Sequence, residues 1–294
     1  MIMNYKTFEN KFEKIPMVGL PSGEFIELTL DQFNTLNELR YLKYDSRMKT
    51  FVFEDSDYKN IMYYLRDSHK DKVKRFLNEN NIKRFRINDD YSVDVWDDVR
   101  IRKNLLGLPV KFDYVTGDFD ISFCGLISLM GCPDTIEGNF ICTNNKLTDL
   151  KLGPNTVTGN YDVSHSNLAS LEGAPTKING NFNCGYNKLA DLKGGPRVVN
   201  GSYSCASNLL ISLDGSPDIL VGDFNCSGNY LQTLKDGPDL ITGTYDCSFN
   251  DLESLKDGPN SVGVFNCLGN RRLKESDFYY APLEGKIIKD EKPK

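Results

Sequence analysis

The chain has 294 residues, 35 of them Lys or Arg and 41 Asp or Glu, for a net charge of -6. That balance argues against a whole-chain nucleic-acid binder or a basic membrane-surface protein. No stretch approaches the roughly 20 apolar residues of a membrane span. The opening Met1–Lys6 lacks the apolar core of a secretion signal.

Residues 1–90 carry no repeat and read as a small α/β domain. Gly23–Thr29 is strand-like, and Asp31–Lys43 places Phe33, Leu36, Leu39 and Leu42 near one helix face. Met48–Glu54 again reads as a strand. Ser56–Arg66 begins with Ser-Asp and fits a capped helix, and His69–Asn80 fits a second. Lys83–Ile87 alternates as a strand. Lys70, Lys72, Lys74, Arg75, Lys83, Arg84 and Arg86 form a local basic cluster, either a solvated face or a patch for an acidic partner.

From about residue 91 the chain becomes periodic. Prolines recur at 133, 154, 175, 196, 217, 238 and 259, always 21 residues apart. Glycines recur at 117, 138, 159, 180, 201, 222 and 243, then at 263 after one deletion. Two residues beyond each glycine stands an aromatic, from Phe119 to Phe265. Two further on comes a Cys, Val or Ile, then an Asn column with Cys124 and Ser166 as exceptions, then a pair of leucines. The unit reads G-x-[FY]-x-[CVI]-x-x-N-x-L-x-x-L-x-G-x-P-x-x-[VIL].

The columns have a physical reading. The aromatic and the Cys alternate with polar residues, as in a strand with one buried face. The Asn ends the strand and can donate and accept along stacked backbones. Gly and Pro reverse the chain. One unit cannot bury its apolar side alone, so stacked neighbours supply the core. Eight parallel strands are expected within 113–270, at 117–123 and each repeat after it, and a cap strand near 99–103 makes nine. The short return favours 3₁₀ or irregular turns. Residues 91–112 read as an N-terminal cap, and Phe278–Leu283 as a cover for the last repeat. The final Lys286–Lys294 reads as frayed.

Five of the eight cysteines share one column from Cys184 to Cys267, with Cys142 further up. Neighbours in parallel register lie about 4.8 Å apart with parallel Cβ vectors, a poor disulfide geometry. They read as small buried hydrophobes, which implies a reducing, cytoplasmic setting. Cys124 and Cys132 depart from the column.

This pattern resembles the leucine-rich repeat family, whose L-x-x-L-x-L-x-x-N-x-L core maps onto the [FY]-x-[CVI]-x-x-N-x-L columns over about residues 93–273. The short unit looks most like repeats of bacterial and tailed-phage proteins, including secreted bacterial effectors. It lacks their L-P-x-L-P element and has P-x-x-[VIL]-x-G instead. The resemblance implies an α/β-class solenoid with a curved parallel β-sheet whose concave face binds proteins, here a phage or bacterial protein engaging a host or viral factor. The expected organisation is a 1–90 domain, a 91–270 array and a 271–294 cap and tail.

Residues 113–270 hold 8 basic and 18 acidic side chains. The outward positions of the strands hold no Lys or Arg, and include Asp118, Asp120, Asp162, Asp223 and Asp246. Further along each strand come Phe123, His165, Tyr186 and Phe249 among smaller residues. Exposed rings are common interface anchors, and carboxylates select basic partners. The candidate partner-binding residues are therefore Phe123, Asp162, His165, Tyr186, Asp223, Asp246 and Phe249. The alternative is that the small polar residues only solvate the sheet.

With two histidines and no H-E-x-x-H, G-x-S-x-G or G-x-x-x-x-G-K-[ST] pattern, no catalytic residue, cofactor or metal is assigned. The leading expectation is a non-catalytic module for a protein partner with a basic or polar surface. No membrane contact is expected, and the oligomeric state is open. Two other readings stay open: a nucleic-acid-associated protein using the 70–86 cluster, and an enzyme with its site in residues 1–90.

Overall fold

The computed structural model describes residues 17–19, 25–27, 42–47, 50–53, 58–105, 107–282 and 285–290. By internal contacts the chain divides into two compact units, Met1–Lys72 and Val73–Lys294.

In the first unit a four-stranded sheet is ordered Phe25–Glu27, Met17–Gly19, Thr50–Phe53, Leu42–Asp45. The expected helix over Asp31–Lys43 lies mostly outside the described residues, but its end is corrected: Leu42–Asp45 is a strand paired antiparallel with Thr50–Phe53. Pairing across the hairpin overrides local helical periodicity there. The two helices expected at Ser56–Arg66 and His69–Asn80 are one helix, Tyr58–Glu79. Neither Gly nor Pro occurs in that span, so Asp67-Ser68 does not interrupt it. His69 consequently sits mid-helix rather than near a helix start.

The second unit is a parallel β-solenoid with turns of about 21 residues. Its main sheet, here the aromatic sheet, has ten strands in sequence order from Val99–Arg100 to Lys286–Ile288. Phe140 pairs with Phe119 on one side and Tyr161 on the other, and each later turn repeats that register. The tenth strand corrects the frayed tail. Lys286–Ile288 pairs in parallel with Val264–Asn266 and extends the sheet by one strand.

The return path holds more structure than expected. It keeps the expected irregular turns and adds short parallel return strands in two separate sheets, one with Phe112–Val115, Thr135–Ile136 and Thr156–Val157 and the other with Lys177–Ile178, Val198–Val199 and Ile219–Leu220. In-register stacking brings each [VIL] position beside its copy, and the backbones pair. Phe85–Ile87 closes the N-terminal edge antiparallel to Val93–Val95. Among the described residues the only α-helix is Tyr58–Glu79. The array is thus a mostly-β solenoid, where the resemblance had implied the α/β class.

The core lies between the aromatic sheet and the return strands. The aromatic column from Phe119 to Phe265 is fully buried, with successive ring centroids 4.8 to 6.3 Å apart. Burying one such ring contributes about 1.5–3 kcal/mol. All eight cysteines are free and buried. Burial pushes the Cys184 thiol up to about 12 and Cys267 up to about 11, so neither is a nucleophile near neutral pH.

The Asn column closes the polar account. Asn229 Oδ1 accepts the Leu210 N–H at 3.1 Å, and its Nδ2 donates to the carbonyls of Cys205 and Cys226 at 3.2 and 3.0 Å. Asn187, Asn208 and Asn250 repeat these contacts. Each buried amide therefore joins two turns and satisfies groups that water cannot reach.

Candidate functional site

Three columns of the aromatic sheet face outward. The first stands one residue before the buried aromatic. There the side-chain oxygens of Asp118, Asn139, Asn160, Asn181, Ser202 and Asp223 each accept the backbone N–H of the equivalent residue on the next turn, at 2.7 to 3.0 Å. This polar ladder continues the stack where the strands have not yet begun to pair. Asp223 belongs to it, accepting the Thr244 N–H at 2.7 Å.

The second column follows the aromatic. Asp162 Oδ1 accepts the Ser164 N–H at 3.0 Å and its Oδ2 accepts the Asn183 amide at 3.2 Å. Asp246 Oδ1 accepts both the Ser248 N–H at 2.9 Å and its hydroxyl at 2.6 Å. These carboxylates close Asx turns two residues long, the local pairing that favours Asp and Asn at such bends. Asp120, expected to face solvent, is buried. It accepts Arg102 Nη1 at 2.9 Å, a second bond from Arg102 Nη2, and the Ser122 N–H at 3.1 Å. Burial pushes its carboxyl up, but the Arg102 and Ser122 hydrogen bonds together outweigh that and hold it below the ordinary value.

The third column ends the strand. Phe123, Asn144, His165, Tyr186, Ser207, Gly228, Phe249 and Gly269 all have φ between +53° and +75°. This left-handed turn swings each side chain off the sheet. Phe123 is 67% exposed, Tyr186 57% and Phe249 62%. His165 stacks on Tyr186 with ring centroids 4.3 Å apart and planes 8° apart. Phe249 lies over Gly269, where a Cβ would meet the ring at 2.6 Å. Phe123, Tyr186 and Phe249 stand three turns apart, a spacing of about 14 Å at strand separation.

Comparison with known proteins finds no matching family model, no similar curated protein and no similar solved structure.

The seven residues singled out in the sequence therefore fall into two kinds. Phe123, His165, Tyr186 and Phe249 form one line of outward rings. Asp162, Asp223 and Asp246 lie in the adjoining columns, where each also holds backbone. Three apolar residues beside this line escaped the sequence reading: Leu209, Ile211 and Tyr230, all exposed. Leu209 and Tyr230 occupy the x of N-x-L, where other turns carry Lys146, Asn167, Lys188 and Asp251. An apolar residue in a polar column was the signal available. Tyr230 and Phe249 line a cleft of about 760 Å³ against Arg271, Phe278 and Lys289.

Of the basic cluster, Arg86 is held by Asp94 at 2.5 Å and lies 5.8 Å from the Trp96 ring. Lys74, Arg75, Lys83 and Arg84 are exposed. Among the described residues no helix is long and apolar enough to cross a membrane.

Proposed function

We propose that this chain is a non-catalytic interaction protein that grips a partner protein along the line Phe123, His165–Tyr186, Phe249. One observation carries the reading. Large aromatic residues occupy a left-handed backbone position that every turn shares, where Asn144, Ser207, Gly228 and Gly269 show that a small residue suffices. An L-residue held there costs about 1–2 kcal/mol, and these rings return little of it as core burial. Strain retained at exposed apolar side chains is a mark of binding sites.

The partner's chemistry follows from the charge around the line. The array carries 8 basic against 18 acidic side chains between residues 113 and 270, so a basic or polar protein surface fits it and phosphates do not. Leu209, Ile211 and Tyr230 widen the apolar part of the contact. The relation to leucine-rich repeats, the curvature that would make this side concave and a reducing, cytoplasmic setting are parts of the same reading. The aromatic–Cys–Asn–Leu columns and eight buried free thiols support them.

The test is quantitative affinity capture with the full chain as bait, comparing wild type with the Tyr186→Gly, Phe249→Gly double variant. A protein enriched by wild type and lost from the variant supports the reading. Identical capture by both, or enrichment of nucleic acid that disappears on charge reversal at Lys74 and Arg75, contradicts it.

A further inference from the structure

The cleft beside Phe249 already holds a cation, and that cation belongs to the chain itself. Lys289 Nζ stands 4.2 Å from the centroid of the Phe278 ring and 2.9 Å from Glu275 Oε1. A ring face recognises an ammonium group through its quadrupole, and a carboxylate beside it adds the opposite charge. Phe278 and Glu275 both come from the short 3₁₀ helix Glu275–Tyr280, and Lys289 directly follows the last strand of the aromatic sheet, Lys286–Ile288. Tyr230 and Phe249 line the same cleft, so the ammonium lies where the line of outward rings ends.

We infer that Phe278 and Glu275 form a lysine-binding site, and that Lys289 is its internal placeholder, displaced when a lysine side chain of the partner takes the site. The inference rests on the reading above for the partner's basic character. Three observations favour a displaceable occupant over a fixed pin. The segment that carries Lys289 has a short hold on the array: Lys286–Ile288 pairs on one side only, at the end of its sheet, and past it the Gly269 N–H donates to Asp290 Oδ2 at 2.9 Å. The site is open to water, with the Lys289 side chain 42% and Glu275 67% exposed. A contact so exposed adds little to stability, and a second ammonium can approach it. The third observation is charge. The ionised groups lining the cleft are Asp251, Glu275 and Asp290 against Arg271 and Lys289. With Lys289 seated, three carboxylates meet two cations; once it withdraws they meet one. The site therefore draws a cation most strongly when its own has left. The exchange replaces one ammonium by another, so the ring face and the carboxylate are not left unpaired. Until it occurs, the placeholder lowers the apparent affinity for an incoming lysine.

The probe is N-acetyl-lysine methylamide, with N-acetyl-norleucine methylamide as its uncharged control. Each is titrated to about 100 mM into the isotope-labelled full chain, and the Phe278 ring and Gly269 amide signals are followed by NMR. Lys289→Ala should bind the lysine probe about 3–10-fold more tightly than wild type, the factor that one exposed cation–π contact and one exposed ion pair supply. Glu275→Gln in the Lys289→Ala background should reverse that gain, and the norleucine probe should show none. Amide exchange at Cys267, whose N–H donates to the Ile288 carbonyl at 2.9 Å, is read on the same samples. Lost protection there with no gain in probe affinity would make Lys289 a pin for the last strand and overturn the proposal. An unchanged affinity in Lys289→Ala, a gain that survives Glu275→Gln, or an equal gain for norleucine would also overturn it. No partner protein enters the measurement, so its outcome is independent of whether the line Phe123, His165–Tyr186, Phe249 captures one.

Discussion

A Cβ placed on Gly237 would stand 2.5 Å from the Tyr245 hydroxyl, inside the distance at which such atoms can meet. Gly195 with Tyr203 and Gly153 with Tyr161 have the same neighbours but at ordinary contact distance, 3.4 and 3.5 Å. Where the buried aromatic is Phe, the residue before the proline is larger: Cys132 with Phe140, Ala174 with Phe182, Ser216 with Phe224. Tyrosine plus glycine and phenylalanine plus a small side chain are two fillings of one space. The last turn, with Phe265 and Gly258, has neither and follows the one-residue deletion.

This exchange makes a double-mutant prediction. Gly237→Ala should destabilise by about 1–3 kcal/mol through overpacking. Tyr245→Phe removes a buried hydroxyl without a hydrogen-bond partner and should change stability by about 1 kcal/mol or less. The two together should recover part of the loss, as in the Ala174–Phe182 combination; the Leu213 side chain and Leu234 carbonyl, 2.9 and 3.0 Å from the added Cβ, retain the rest. Denaturant unfolding of the four proteins checks this, and simple additivity would refute the shared space.

The amide column should separate from its neighbours in the same measurement. Asn208→Ala or Asn229→Ala leaves buried backbone groups unpaired and should cost about 1–3 kcal/mol. Asn225 is half-buried rather than fully in solvent, and its Oδ1 accepts the Ser227 N–H at 3.0 Å and hydroxyl at 2.7 Å. Asn225→Ala should therefore cost up to about 1 kcal/mol, still less than Asn229→Ala.

Acid titration of stability should reveal Asp120. Its folded-state value lies below the ordinary one. The stabilisation is present above the unfolded-state value of about 4 and is lost as pH falls through the folded value. Asp120→Asn should flatten the fall in stability below about pH 4, and Arg102→Gln should shift that fall to higher pH. Parallel pH profiles in wild type and Asp120→Asn would contradict the assignment.

Phe123 offers the cleanest measure of left-handed strain. Phe123→Gly should leave stability unchanged or raise it by up to about 1 kcal/mol, the relief of φ +57° set against the extra freedom of glycine in the unfolded chain. A loss above about 1 kcal/mol would mean the ring holds the fold together.

Much of the array was legible because the 21-residue period fixes every column at once. The strands from Phe119 to Phe265, the buried cysteines and the Asn contacts follow from it. Other features were hidden for physical reasons. The ladder from Asp118 to Asp223 uses residues that look like ordinary solvating polar groups, and only stacking reveals the next N–H. Lys286–Ile288 has no repeat of its own, yet the open edge at Val264–Asn266 recruits it. Asp120 alternates like a solvent-facing residue, but Arg102 from the cap covers it. Phe123, Tyr186 and Phe249 were found as outward rings, while the left-handed backbone they share with every turn has no marker in a column that also contains Asn, His and Ser.

The central claim is that these rings serve recognition rather than folding, and one paired measurement tests it. Affinity for the captured partner and thermal midpoint are determined on the same samples of wild type and the Tyr186→Gly, Phe249→Gly variant. The account predicts a midpoint equal to or above wild type and an affinity lower by at least about a hundredfold, as for two central anchors. A lowered midpoint with unchanged affinity would make the rings structural and the account wrong.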